Sequence, residues 1–195
     1  MLYSKDYNMF VVSPKCGYST FDYLKKKNVV KETELKYLRS PSVKIFVIVR
    51  NPISKLESFY KDKFCIQKNA FNQVCQRNIL AFVDYKTIRD GDFSFHDFIE
   101  TMKRGYMDEH IWPFTAQSAY SIYKNRNPSI LKFEDPQFSE KLRNLLGIDS
   151  LPRLHATHTY DINIDISADD IAFIKRIYKK DFTSFHYGTD VADSV

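Results

Sequence analysis

The chain has 195 residues, 44% hydrophobic and 15% aromatic, enough for one sizeable core in a single domain over 1–195, which excludes a disordered or low-complexity protein. A formal charge of +5 is a mild excess that steers anionic ligands inward. It does not argue for nucleic acid, because the longest basic stretches, Lys25–Lys27 and Lys175–Lys180, read as solvated helix faces. The first ten residues lack the apolar stretch of a signal peptide, and the longest purely apolar run, Ile45–Val49, is too short to span a bilayer. Cys16, Cys65 and Cys75 show no metal-ligand spacing and leave an odd thiol, so they read as reduced, with a Cys65–Cys75 disulfide as the alternative. These features point to a cytoplasmic protein with no metal site.

In chain order, Asn8–Ser13 reads as a buried strand that turns at Pro14–Tyr18 into a helix from Ser19 to Lys27. Lys44–Val49 is a second strand, short, apolar and β-branched, stopped by Asn51-Pro52. Pro52 suits the first turn of a helix that runs through Phe64, with Leu56, Phe59, Tyr60 and Phe64 on one face. Ile66–Arg77 reads as a loop or lid, and Tyr106–Gln117 as a loop. Ser94 and Ser167 each open a helix with a capping-box pattern, closed by Asp97 and Asp170. Ser129–Phe133 is a third strand, followed by a helix from Phe138 to Gly147. In the last helix Ile171, Ile174, Ile177 and Tyr178 are expected to face inward.

Strands alternating with helices predict an α/β fold: three layers, P-loop-like, with a central, mainly parallel sheet flanked by helices. Ligands in such a sheet sit beyond the carboxyl ends of the strands. The end of the first strand carries Pro14-Lys15-Cys16-Gly17-Tyr18-Ser19-Thr20. Gly17 allows an anion to approach the main chain, Ser19 and Thr20 bring hydroxyls to a helix N-terminus, and Lys15 adds a charge. It is not a Walker A loop, because Lys15 precedes the glycine. The end of the second strand carries Arg50, a residue suited to bidentate phosphate contacts, and Ser58 follows about two helical turns later. The competing reading pairs Arg50 with Glu57 or Asp62. Two anion sites at adjacent strand ends fit a ligand with two separated phosphates, such as a nucleotide 3′,5′-bisphosphate.

PKCGYST resembles the 5′-phosphosulfate loop of the sulfotransferases that use 3′-phosphoadenosine 5′-phosphosulfate (PAPS). VRNPISKLESFYKDKF resembles their 3′-phosphate motif, in the form typical of the Golgi carbohydrate enzymes (chondroitin and HNK-1 type) and their bacterial relatives, with Lys55 in place of the usual arginine. Three later stretches agree: His110-Ile111-Trp112-Pro113 resembles the family's H-W-x-P with the tryptophan shifted by one, Leu131–Asp135 resembles R-[FY]-E-[DN], and Tyr178–Tyr187 resembles the closing Y-x-x-D-F-x-x-F-x-Y. The membrane anchor and stem of the Golgi enzymes have no counterpart, the cysteine after H-W-x-P is missing and the acceptor-binding insertions are short. A soluble, bacterial-type form is the expectation.

The resemblance implies transfer of a sulfuryl group from PAPS to a hydroxyl, of a carbohydrate in this branch, with release of PAP and without a metal. It implies that Lys15 contacts the phosphosulfate and steadies the departing oxygen. Cys16, Gly17, Tyr18, Ser19 and Thr20 are then the 5′-phosphate loop, and Arg50 and Ser58 bind the 3′-phosphate. His110 is the first choice for the base that deprotonates the acceptor, with Glu109 and Asp108 as rivals. The bland reading has His110 and Trp112 packing the loop onto the core. His155 and His158 lie in a region that lines the site in relatives, and also read as surface-loop residues. His96 and His186 are assigned no role. Two rival functions stand beside this one: a P-loop-type small-molecule kinase, and a nucleotide- or polyanion-binding module without catalysis.

Overall fold

A short hairpin starts the chain. Strands β1 (Leu2–Lys5) and β2 (Asn8–Val12) pair antiparallel, Tyr3 opposite Phe10, around a turn in which Asp6 takes a φ of 52°. The computed structural model describes residues 1–67, 74–152 and 162–188. Helix α1 (Tyr18–Lys26) follows β2, and β3 (Lys31–Glu32) returns to pair antiparallel with β1. After a 3-10 turn at Leu35–Arg39 comes β4 (Lys44–Val49), parallel to β2. Its residues Val47, Ile48 and Val49 are wholly inaccessible, as a strand covered on both faces must be, which is why it reads as an unbroken apolar run.

Asn51 caps α2 (Pro52–Tyr60), its side chain accepting from the Ile53 N–H at 2.9 Å, with Pro52 in the first turn. The helix continues as a π-helical turn, Lys61–Ile66. Beyond it lie α3 (Val74–Ile79), α4 (Tyr85–Asp90) and α5 (Phe95–Lys103). Then come a 3-10 turn at Phe114–Ala116 and α6 (Ser118–Tyr123). Strand β5 (Ser129–Lys132) pairs parallel with β4, and α7 (Phe138–Leu146) ends on Gly147 in the left-handed conformation. Helices α8 (Ala168–Ile177) and α9 (Lys179–Ser184) close the chain. No helix among the described residues is long and apolar enough to cross a membrane.

The result is an α/β fold with a five-stranded sheet in the order β3-β1-β2-β4-β5. The three strands expected from sequence are mutually parallel. The sheet as a whole is mixed, because β1 and β3 add two antiparallel pairings. Strand β3 is two exposed residues long and β1 only four, so backbone pairing rather than apolar periodicity makes them strands. Both capping boxes form as expected, at Ser94–Asp97 and Ser167–Asp170. The stretch Ile66–Arg77, expected as a loop, starts in the π turn and enters helix α3, and residues 68–73 lie outside the described residues. Ile177, expected inside, is 38% exposed, because the chain breaks at Tyr178 between α8 and α9 and turns Tyr178, not Ile177, into the core. Trp112 is exposed as well.

Aromatic rings from α2, its π turn and α5 fill the space beside the sheet: Phe59 and Tyr60 each contact Phe64 and Phe98, which also contact each other. The segment from Tyr106 to Gln117 is laid over this cluster and is held by buried polar groups. The Ile111 carbonyl accepts from the Tyr178 hydroxyl, and the Trp112 carbonyl accepts from Lys55 Nζ at 2.7 Å. Asp181 accepts from the Phe114 and Thr115 N–H groups at 2.6 and 2.8 Å, and from the Thr115 hydroxyl at 2.6 Å. Removing a buried carboxylate that satisfies two main-chain donors leaves them without partners. Asp181→Ala is therefore expected to cost about 3 kcal/mol in urea unfolding, while a surface change such as Asp165→Ala leaves the midpoint in place.

Candidate active site

Strand β2 ends at Val12 and α1 begins at Tyr18 with Gly17 as its N-cap, so five residues, Ser13 to Gly17, reverse the chain. Lys15 takes a φ of 64° and Gly17 a φ of 87°, both in the left-handed region. A lysine there is strained, and such strain persists only where surrounding contacts fix it. One of those contacts comes from the next strand end: Arg50 Nη1 donates to the Lys15 carbonyl at 3.1 Å. Gly17 offers no side-chain cap to α1, and the first bonded N–H of the helix is that of Phe21, to the Gly17 carbonyl at 3.2 Å. The N–H groups of Tyr18, Ser19 and Thr20 thus have no partner within the helix and form its positive end.

Arg50 lies where β4 ends. Its guanidinium stacks on the Phe133 ring at 5.1 Å, and its Nε is buried without a hydrogen bond, 3.9 Å from Glu134 Oε1. Glu134 is committed elsewhere: it accepts from the Asn51 N–H at 2.7 Å and from the Tyr187 hydroxyl at 3.2 Å. Neither carboxylate considered for Arg50 in the sequence, Glu57 or Asp62, is its ion-pair partner; Glu134 is the acidic group beside it. Ser58, on the second turn of α2, is 6% exposed and faces the same cleft.

The π turn brings Asp62 and Lys63, both buried, into the lining of the same cleft. The Asp62 carboxylate pairs with Lys15 Nζ and, at 2.9 Å, with Lys63 Nζ, while Gln67 Nε2 donates to its other oxygen at 2.8 Å. Burial pulls the Lys15 ammonium down to about 8 against the opposing attraction of Asp62. Burial pushes the Asp62 carboxyl up, but Lys15 and Lys63 outweigh it and hold the group below the ordinary carboxylate range. His110 completes the wall. Its ring lies 5.9 Å from Phe59, and its Nδ1 and its N–H, the latter at 2.9 Å, both meet Asp108 Oδ1. Burial raises Asp108, and the contacts with His110 more than offset that rise.

These groups enclose a cleft of about 350 Å³ at the carboxyl ends of β2, β4 and β5. Of the residues singled out in the sequence, it brings together Lys15, Gly17, Tyr18, Ser19, Thr20, Arg50, Ser58 and His110. Cys16, Asp108 and Glu109 are not among its lining. Cys16 is wholly buried, its N–H bonded to the Ser13 carbonyl at 3.1 Å and its thiol pushed up to about 11 by burial. Glu109 is exposed, because Asp108 and His110 are drawn inward on either side of it. His155 and His158 lie outside the described residues, as does the side chain of Cys75, and with it the Cys65–Cys75 pairing. Among the described residues, no three His, Cys, Asp or Glu side chains come together in a group able to hold a metal ion.

Sequence reasoning did not list Asp62, Lys63, Gln67 or Phe133 as site residues. Lys63 stood in the matched motif and Phe133 closed a predicted strand, but only the π turn and the strand register show that they face the same space. Lys15, Arg50 and Lys63 against Asp62 leave the cleft positive, which suits a ligand with several negative charges. A Cβ on Gly17 would meet Phe133 Cε2 at an ordinary 3.7 Å, so its φ, not the space, demands glycine. Gly17→Ala is expected to lose about 1–2 kcal/mol of stability in thermal or chemical unfolding and to weaken anion binding at the start of α1, as calorimetry with pyrophosphate would read.

Residues 8–188 match the model of a family described as the sulfotransferase family. No curated protein and no solved structure matches the chain significantly.

Proposed function

The chain belongs to the sulfotransferase family, and on that footing we propose that it moves a sulfuryl group from PAPS to a hydroxyl of a carbohydrate, releasing PAP. One observation supports this donor above others. Two separate anion sites, the start of α1 with Lys15 and the Arg50–Ser58 pair, open into one cleft, and the buried Arg50 Nε has no acceptor of its own. A buried donor left without a partner beside a cleft calls for an acceptor in the ligand. A nucleotide with phosphates at its 3′ and 5′ positions supplies one for each site.

In this reading the N–H groups of Tyr18, Ser19 and Thr20, with the two hydroxyls, bind the 5′-phosphate. Arg50 and Ser58 bind the 3′-phosphate. Sulfuryl transfer, like phosphoryl transfer, is an in-line displacement with charge spread over equatorial oxygens. Lys15 offers its ammonium to the oxygen that leaves with PAP. The S–O bond to the donor breaks, the acceptor oxygen takes the sulfuryl group, and the acceptor proton must go to a base. Asp108 at Nδ1 fixes the His110 tautomer and leaves Nε2 to accept that proton. Glu109, exposed and outside the cleft, is not used. Two residues beyond His110, Trp112 is 47% exposed on the same segment and offers a ring face on which a sugar can stack.

Calorimetry with PAP and with ATP, with and without magnesium, tests the donor. PAP binding that ignores magnesium and is lost in Arg50→Ala is expected; a preference for ATP with magnesium overturns the reading in favour of a kinase, and PAP binding without turnover of PAPS favours a binding module. Lys15→Ala is expected to lower kcat by about 10²–10³-fold, and His110→Ala by about 10²–10⁴-fold, each with the fold intact by circular dichroism. The pH dependence follows from Lys15. Its charged form is present below about 8 and is lost as pH rises through that value, so kcat/KM for the donor should fall on the alkaline side. Lys15→Arg should move that limb upward, because a guanidinium keeps its charge.

A further inference from the structure

Asp62 is the one carboxylate among the residues that line the cleft, and it sits where a sulfate or phosphate oxygen would be expected to meet Lys15. Its place is built: a π turn, a rare local geometry frequent at functional sites, carries both Asp62 and Lys63 into the wall. Bonded to two ammonium groups and to Gln67, it is a poor proton acceptor, so it is not a rival to His110. We infer that Asp62 is a positioning residue: it holds the Lys15 ammonium in the cleft and hands it to the anionic donor, keeping Lys63 as its own partner when Lys15 leaves. This rests on the donor reading above.

The surroundings of Lys15 give the physical reason. Its side chain is 13% exposed, and two like charges face it, Arg50 from the end of β4 and Lys63 from the π turn. His110 faces the cleft from the Tyr106–Gln117 segment, and Glu134 stands behind Arg50. Burial and the two neighbouring cations all favour the neutral amine, and Asp62 opposes them. Without Asp62, Lys15 would give up its proton at a lower pH and drift from its place. With Asp62 and no Lys63, displacement by the donor would strand a buried carboxylate, which is costly. Two lysines sharing one carboxylate solve both problems: the donor replaces Asp62 at Lys15, and Lys63 and Gln67 keep Asp62 paired.

Lys15 can be titrated without any nucleotide. The rate of its acylation by acetic anhydride, read residue by residue by mass spectrometry on the whole chain, should rise with a midpoint near 8 in the wild type. Asp62→Asn should move that midpoint down by about one pH unit or more, Asp62→Glu should restore it, and Lys63→Gln should move it up. A midpoint that stays or rises in Asp62→Asn overturns the inference; if that variant does not fold, a midpoint that stays or falls in Lys63→Gln does so. PAP calorimetry against pH supplies the second arm, because the alkaline limb of binding should follow the labelling midpoint in each variant. Wild-type binding of PAP with an unmoved midpoint overturns the role of Asp62 alone. Failure of the wild type to bind PAP at any pH overturns the donor reading, and the handover with it.

Discussion

Three parallel strands leave the sheet at the same end, and everything in the cleft follows from that shared register. Val12 pairs with Ile48, and Val49 with Lys132, so β2, β4 and β5 finish side by side. The exits are then stitched together: Phe133 N–H to the Val49 carbonyl at 2.8 Å, Asn51 N–H to Glu134, and Arg50 to the Lys15 carbonyl. Side chains alternate across a strand, so a slip of one residue in β4 would turn its apolar set over and carry Arg50 away from Lys15. The core holds the register. Phe10, Val12, Val47, Ile48 and Val49 are all inaccessible, and a slipped strand would lose that burial.

The site carries features that a stable fold would otherwise avoid. Lys15 sits in a left-handed conformation, three cations crowd one cleft, and a helix widens into a π turn. Each costs free energy, and each is held by packing elsewhere. The aromatic cluster under the π turn fixes the direction of Asp62 and Lys63 through Tyr60 and Phe64 on either side of them. The His110 segment has little regular structure of its own and is anchored by Lys55, Tyr178 and Asp181. The closing Tyr178–Asp181 motif, remote in sequence from the cleft, therefore positions the residue proposed as base.

Electrostatics in the cleft are set by burial as much as by pairing. Lys55 shows the contrast with Lys15. Burial lowers both, but Lys55, which is not among the cleft's lining, donates to the Trp112 carbonyl, whereas Lys15 lines the cleft and pairs with Asp62. The first lysine holds a loop, and the second is placed to meet a ligand. In the proposed handover, an anionic donor exchanges one carboxylate contact for several of its own, which would make the balance of charge in the free protein part of how that donor is selected.

The sequence by itself determined the three parallel strands, both capping boxes and the two strand ends that line the cleft, because each is a local signal: an apolar run, a Ser-x-x-Asp spacing, a glycine turn beside a lysine. It determined the family for the same reason, since the motifs lie within short windows. Strands β1 and β3 were not legible, for their pairing is made by backbone groups that carry no side-chain pattern. The inward turn of Cys16 and the exposure of Ile177 and Glu109 were decided by where helices break and loops are pinned. Asp62 shows the limit most clearly. Its partner Lys15 is 47 residues away in the chain, and only the packing of the π turn against the β2–α1 turn makes them an ion pair. Distance along the chain says nothing about such a contact; burial, register and the path of a helix decide it.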